Sequence, residues 1–209
     1  MKPVLWYWLI FVVLTCCVAY CNHKYCMLKD QSTAEKQPYS WSRVQLAWWT
    51  VIIMSAFTSI MITHNNAPEL WESTVILLGI SAATIASARV IDAADESDPN
   101  IQRHQDTNGT NFVVDILSDQ TGVSIHRFQT VVFNLAFGIW FILKVVNNLA
   151  TPPQNNINLI IPDIEPNNLI LLGVSSATYV ALKVTENKGT AAGAGTAGTQ
   201  PNLEEQPVG

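Results

Sequence analysis

Cys16, Cys17, Cys21 and Cys26 crowd one stretch of the chain, with His23 among them. Thiols and an imidazole at that density could bind a soft metal or cycle through a disulfide. A structural zinc site takes paired Cys-x-x-Cys ligands converging from separate elements, whereas these side chains leave the end of a single apolar run. Cysteine is also an ordinary small apolar residue in buried helices. The sequence therefore predicts free thiols, no metal and no cofactor. Asp92, Asp95, Glu96 and Asp98 could suggest a calcium loop, but the ligand alternation and central glycine of an EF-hand are missing. A solvated acidic linker fits them better.

Two further constellations bear on transport. Glu69 and Glu72 precede one apolar run, and Asp163 and Glu165 precede another. Acidic residues are favoured at helix amino termini by roughly 0.3–1 kcal/mol each. The sharper alternative is a carboxylate ring at the outer mouth of a cation pathway. Arg43 with Gln45, and Arg127 with Gln129, stand where two other apolar runs begin. Arginine there can snorkel to lipid phosphate, while the glutamine bonds a neighbouring helix. A polar ring at an inner vestibule is the competing interpretation. No apolar run holds a His or Asp/Glu pair, so no catalytic residues are assigned and an enzyme is not expected.

The elements that must position these groups are set by composition. Of 209 residues, 49% are hydrophobic and only 13% charged, against roughly 25% charged in an average soluble domain. Ionisable residues cluster in 22–43, 89–127 and 183–209 and nearly vanish between. A soluble fold needs charge on the outer face of every element, so lipid is the expected solvent. The net charge of −5 gives no basic footprint for nucleic acid. Five spans follow from hydropathy: 3–21, 44–63, 73–88, 128–143 and 167–182. The first measures about 28 Å as a helix, near the hydrocarbon thickness. The last three are short, and basic residues at their ends extend the usable length by snorkelling.

Lysine and arginine set the orientation. With 22–43 cytoplasmic, that side receives Lys24, Lys29, Lys36, Arg43, Arg89, Arg103, Arg127, Lys183 and Lys188, leaving only Lys2 and Lys144. The positive-inside rule thus places the amino terminus outside and the carboxyl terminus in the cytoplasm. Trp6, Tyr7, Trp8 and Trp71 would then mark the outer interface, Trp48 and Trp49 the inner one. The rival interpretation of 1–21 as a cleaved signal suffers from Val18 and Tyr20 at the cleavage site and would export the most basic loop. A lipoprotein signal through Leu14-Thr15-Cys16 is weaker still. In this orientation Asn108-Gly109-Thr110 fits the glycosylation pattern on the wrong side of the membrane.

The strongest internal signal is a duplication. LLGISAAT at 77–84 recurs as LLGVSSAT at 171–178, Arg89 matches Lys183, and Pro68 matches Pro162. Upstream, Ser40, Arg43, Gln45 and Phe57 match Ser124, Arg127, Gln129 and Phe141. Each unit is an outgoing helix, an outer loop and a small-residue helix returning, so the repeats are parallel. In the returning helices Gly79, Ala83 and Ser87, like Gly173, Ala177 and Ala181, recur every fourth residue. Such flat stripes let backbones approach closely in lipid. They are expected to pack repeat one on repeat two, or else to form a homo-oligomer seam or pore lining. Ser81 with Thr84, and Ser175 with Thr178, could bond across an interface or back to their own helix.

The implied organisation is an anchor helix (1–22), a cytoplasmic linker (23–43), a first two-helix repeat (44–91), an acidic cytoplasmic loop (92–126), a second repeat (127–186) and a disordered tail (187–209). Within the acidic loop, NFVVDILSD (111–119) reads as a short amphipathic helix on the membrane surface. The tail's GTAAGAGTAGTQP lacks the apolar content to fold. Ile157, Leu159, Ile160 and Ile161, between Pro153 and Pro162, are too few to span and are expected to dip into the interface.

PYSWSRVQLAWWT (38–50), ILLGISAAT, FVVDILSDQTGVSIHRFQTVVFN (112–134) and LLGVSSATYVALK resemble an uncharacterised family of small bacterial integral membrane proteins. The resemblance covers roughly 38–186. It implies a multi-pass protein of a bacterial cytoplasmic membrane and carries over no functional residues. The expected fold is an all-α polytopic membrane bundle of about five helices. For function the sequence leaves a homo-oligomeric pore or cation channel subunit in front of a non-conducting scaffold or regulator recruiting a cytoplasmic protein partner. The lipid bilayer is the one partner common to both.

Overall fold

The computed structural model describes residues 2–30, 32, 34–96, 108–119 and 122–172. Among the described residues its regular structure is helical apart from one minimal ladder and an isolated antiparallel bridge between Lys29 and Tyr39. The elements are α1 (Pro3–Tyr25), α2 (Trp41–His64), α3 (Glu72–Glu96), α4 (Phe112–Leu117), β1 (Ser118–Asp119), β2 (Gly122–Val123) and α5 (Ile125–Ala150). Two 3-10 turns follow, Pro153–Asn155 and Ile157–Leu159, and 166–172 is again helical. Strands β1 and β2 pair antiparallel, Ser118 with Val123 and Asp119 with Gly122.

Three of these helices, α1, α2 and α5, are long and apolar enough to cross a membrane. The apolar part of α3 is shorter, Glu72–Ser87. It ends where Arg89 and the following acids begin. Of the expected fifth span only 167–172 is described. The remainder, with Gly173, Ala177, Ala181, Ser175 and Thr178, lies outside the described residues, as do most of the acidic loop and the tail. The described helices extend past their apolar runs: α1 to Tyr25 and α2 back to Trp41. Helical hydrogen bonding evidently continues through the polar flanks.

Local chemistry sets the boundaries. Pro3 opens α1 in the first turn, where its missing N–H costs nothing. Cys26 closes it in the left-handed region (φ 54°), its N–H donating to the Asn22 carbonyl. Asn65 closes α2 in the same conformation, a role asparagine tolerates better than most residues. Ser40 and Ser124 stand in extended conformation immediately before α2 and α5. The carbonyls of Trp71 and Glu165 each accept two N–H groups from the first turns that follow, Thr74 and Val75 in one case, Asn168 and Leu169 in the other.

The core lies between α1, α2, α3 and α5. It contains Tyr7, Trp49, Ile52, Ile53, Ile60, Leu77, Phe141, Val145 and Leu149, all but fully buried. Around it the helices turn large apolar side chains outward: Leu5, Leu9 and Val12 on α1, Met54, Met61 and Ile62 on α2, Leu135, Ile139 and Leu143 on α5. A water-soluble bundle faces charge outward instead, so this surface matches an apolar solvent.

Several expectations need correction. Trp49 and Tyr7 are core residues with no exposure, not interfacial anchors. Trp48 is half-buried against α5. Ile160, Ile161 and Ile164 are buried in the protein core rather than dipped into lipid. The two sequence-matched units also pack differently. Gln45 is buried and Gln129 exposed; Leu77 is buried and its counterpart Leu171 exposed. A symmetric Arg/Gln ring is therefore not formed.

Candidate functional site

The joint between α2 and α5 is polar. Asn134, wholly buried on α5, accepts a 2.9 Å hydrogen bond at Oδ1 from Trp49 Nε1, while its Nδ2 donates to the Thr130 carbonyl at 2.9 Å. Trp48 Nε1 donates to the Asn134 backbone carbonyl at 3.3 Å. One turn on, a Cβ at Gly138 would overlap the Trp48 indole, so only glycine lets α5 approach α2 this closely. Trp49 also stands edge-on to Phe141, centroids 6.1 Å apart. Sequence reasoning missed this joint. Its signal was present: an asparagine inside an apolar run, with glycine four residues later.

At the end of the bundle where α2 and α5 begin, here the basic end, the loops fold onto one another. In the 26–40 segment, Asp30 N–H donates to the Pro38 carbonyl and Ser40 N–H to that of Leu28. This segment grips residues 108–115. Lys36 N–H donates to Asn108 Oδ1 (3.1 Å), Lys36 Nζ to the Thr110 carbonyl (2.6 Å), and Gly109 N–H to the Lys36 carbonyl (2.7 Å). Asp115 accepts from Thr110 N–H at 2.8 Å and from Tyr39 N–H at 3.3 Å. A Cβ on Gly109 would press on Pro38 and Asp115 at 2.9 Å. Asn108-Gly109-Thr110, which reads as a glycosylation pattern, thus clamps two loops together. The expected amphipathic helix is there as α4, capped by Asn111 accepting from Val114 N–H. Ile116 of α4 is buried against Trp41, and Phe112 meets Tyr39 edge-on at 5.1 Å. Phe112, Val113 and Val114 remain exposed.

Cavities among the described residues open at this end. One, about 270 Å³, is walled by Trp41, Val44, Trp48, Phe112, Ile116, Val131 and Leu135. Another, about 370 Å³, opens between α1, α2 and α3 and includes Arg43 and Arg89. Arg43 is half-buried, with Nη1 3.4 Å from the Met27 carbonyl. Arg127 is half-buried as well.

The opposite end is acidic and tightly knit. Ser73 Oγ donates to Asp163 Oδ1 at 2.6 Å and accepts from Ile164 N–H at 3.1 Å. Glu69 N–H donates to Asn158 Oδ1 at 3.1 Å. Asn148 Nδ2 donates to the carbonyls of Leu159 and Ile160, at 3.2 and 3.1 Å. The side chains of Glu69, Glu72 and Glu165 are exposed. Among the described residues no contact joins the four carboxylates, and Asp163 is held as a structural acceptor.

The small-residue stripe of α3 points away from its neighbours. Gly79, Ala83 and Ser87 are exposed, and nothing lies within 4 Å of a Cβ placed on Gly79. The face that packs instead holds Thr74, Leu77, Ser81 and Thr84. Ser81 and Thr84 donate back to the carbonyls of Leu77 and Ile80. The expected intramolecular packing through Gly79 is thus replaced by packing through Leu77, two residues away on the opposite face. Cys16 and Cys17 are exposed and Cys21 and Cys26 half-buried, all as free thiols. Among the described residues no three His, Cys, Asp or Glu side chains converge on a metal-sized site. Comparison with protein-family models, with curated proteins and with solved structures yields no match.

Proposed function

We propose that this chain is a five-span membrane scaffold, non-conducting, whose basic end faces the cytoplasm and presents a folded platform to a protein partner. The observation that carries this reading is the clamp between 26–40 and 108–115. A loop serving only to connect spans needs no fixed shape, yet Lys36, Asn108, Thr110 and Asp115 hold these two segments in one arrangement. Ordering that many residues costs backbone entropy of about 1–2 kcal/mol each. A defined surface for recognition is what such order provides, and exposed Phe112 and Val113 give it apolar contact points.

The acidic end supports the non-conducting half of the reading. Ile160, Ile161 and Ile164 fill the space between helix ends where an outer vestibule would lie, and Asp163 is occupied by Ser73. Through one protomer an ion would meet Trp49, Ile53, Phe141 and Leu149, and among the described residues no buried charge would offset its desolvation. In this reading the matched units are parallel repeats that have diverged in packing, and the stripe of α3 is left for lipid or a second copy.

The test has two arms. Purified chain in proteoliposomes should pass no more monovalent cation than empty vesicles at any imposed voltage. A photo-crosslinker at Val113 should give a discrete protein adduct in cells, whereas one at Leu143 should give none. Current that disappears with Glu72→Gln and Asp163→Asn would restore the cation-pathway reading and remove this one.

A further inference from the structure

We infer that the cavity between α1, α2 and α3 at the basic end is a binding site for one anionic phospholipid. The inference rests on the chain lying in a bilayer, as proposed above, and not on the scaffold role. The cavity, about 370 Å³, falls at the lower end of the roughly 300–1,000 Å³ common for ligand sites. Its walls divide by chemistry. Val18 of α1, Leu46 and Ala47 of α2, and Ile85 of α3 form an apolar slot, while Arg43 and Arg89 stand at its rim. They come from the C-terminal half of α1, the N-terminal half of α2 and the C-terminal half of α3, so slot and arginines share one opening.

The arginines are what select the occupant. Two guanidiniums bordering one cavity repel each other, and among the described residues no carboxylate is paired with either. Arg43 has only the long contact of Nη1 to the Met27 carbonyl, 3.4 Å, which leaves most of its five donors for something else. Arg89 is exposed. A phosphodiester between them would accept charge-assisted hydrogen bonds from both. An acyl chain of the same molecule would then cover Val18, Leu46, Ala47 and Ile85. A free phosphate satisfies the rim but leaves the slot empty. An uncharged lipid fills the slot but leaves the arginines opposed. Basic pockets between membrane helices at the cytoplasmic side are known places for acidic headgroups.

The full chain, purified in mild detergent, would be mixed with phosphatidylglycerol, phosphatidylcholine or glycerol 3-phosphate and examined by native mass spectrometry. One phosphatidylglycerol should remain bound in preference to phosphatidylcholine, and glycerol 3-phosphate should not compete. Arg43→Gln with Arg89→Gln should cut that preference by roughly fivefold per arginine. Arg43→Lys with Arg89→Lys should keep most of it, which guards against loss of fold. Lys24→Gln with Lys29→Gln removes the same charge from the same end outside the cavity and should change little. Equal loss in both glutamine pairs would mean diffuse surface charge and would overturn the site. So would undiminished preference in the arginine pair, or displacement by glycerol 3-phosphate. Failure of the bilayer reading is separate, and would appear as release of the chain from membranes by alkaline carbonate.

Discussion

Asn134→Leu is the substitution that most directly tests how α2 and α5 are joined. Leucine keeps asparagine's heavy-atom count and branching and is bulkier, so the joint loses its polar groups rather than mass. Trp49 Nε1, now 2.9 Å from Oδ1, would be left buried with no partner. The Trp48 bond goes to the Asn134 backbone carbonyl and survives. In water-soluble proteins an orphaned buried donor costs about 1–3 kcal/mol. In membrane bundles a side-chain hydrogen bond between helices averages about 0.6 and reaches about 1.7 kcal/mol. The expected loss is therefore about 1–2 kcal/mol. Trp49→Phe removes the donor from the other side and keeps the edge contact to Phe141. Stability would be followed by steric trapping or by dodecyl sulfate titration in mixed micelles, on both single variants and the double. The double variant should be less destabilised than the two singles added together, by about 0.6–1.7 kcal/mol. Additivity within about 0.3 kcal/mol would refute the bond as a tie between α5 and α2.

The two helical glycines of the described spans should behave oppositely. Gly138→Ala drives a Cβ into the Trp48 indole and should cost about 1–3 kcal/mol by the same titration. Gly79→Ala has open space and should stay within about 0.5 kcal/mol of the parent; a loss of oligomer without loss of stability would assign its stripe to a seam between copies. Ser73→Ala removes the donor to Asp163 and the acceptor for Ile164 N–H, so proteolysis between Pro152 and Asn167 should quicken while α1 and α2 stay protected. For orientation, cysteines at Asn66 and Asn155 should react with an impermeant thiol reagent in intact cells, and one at Val123 only after lysis, in a background without native cysteines. Labelling of Val123 in intact cells would invert the topology.

How far the fold could be read beforehand depended on which solvent each residue answers to. Helix existence was legible because lipid demands long uncharged runs, and α1, α2 and α5 contain the predicted 3–21, 44–63 and 128–143. Helix faces were not legible. In lipid both the buried and the exposed sides of a helix are apolar, so periodicity loses the contrast it has in water. That is why Gly79 looked like a contact and Leu77 did not, and why Trp48 and Trp49 looked like interface anchors. The polar residues inside the runs were the better guide. Asn134 and Thr130 are buried, and so are Ser55, Ser59, Ser81 and Thr84. Each needs a partner that lipid cannot offer.

That same requirement separates the two ends of the molecule. Ser55, Ser59, Ser81, Thr84 and Thr130 donate to carbonyls one turn back on their own helices. Hydroxyls committed in this way line nothing and lend no ladder of exchangeable groups to a passing ion. A conducting interior would instead leave such hydroxyls facing one another or water. Asn134 reaches between helices, and it does so to indoles that donate and cannot accept. Most of the polar chemistry inside the described bundle is thus taken up within single helices or in the joint at Asn134. The charged groups lie at the ends instead: Glu69, Glu72 and Glu165 at one, Arg43 and Arg89 at the other. A packed apolar core with charge at its two ends is suited to binding at those ends, and the arginine-lined cavity is the place where such charge meets an apolar slot.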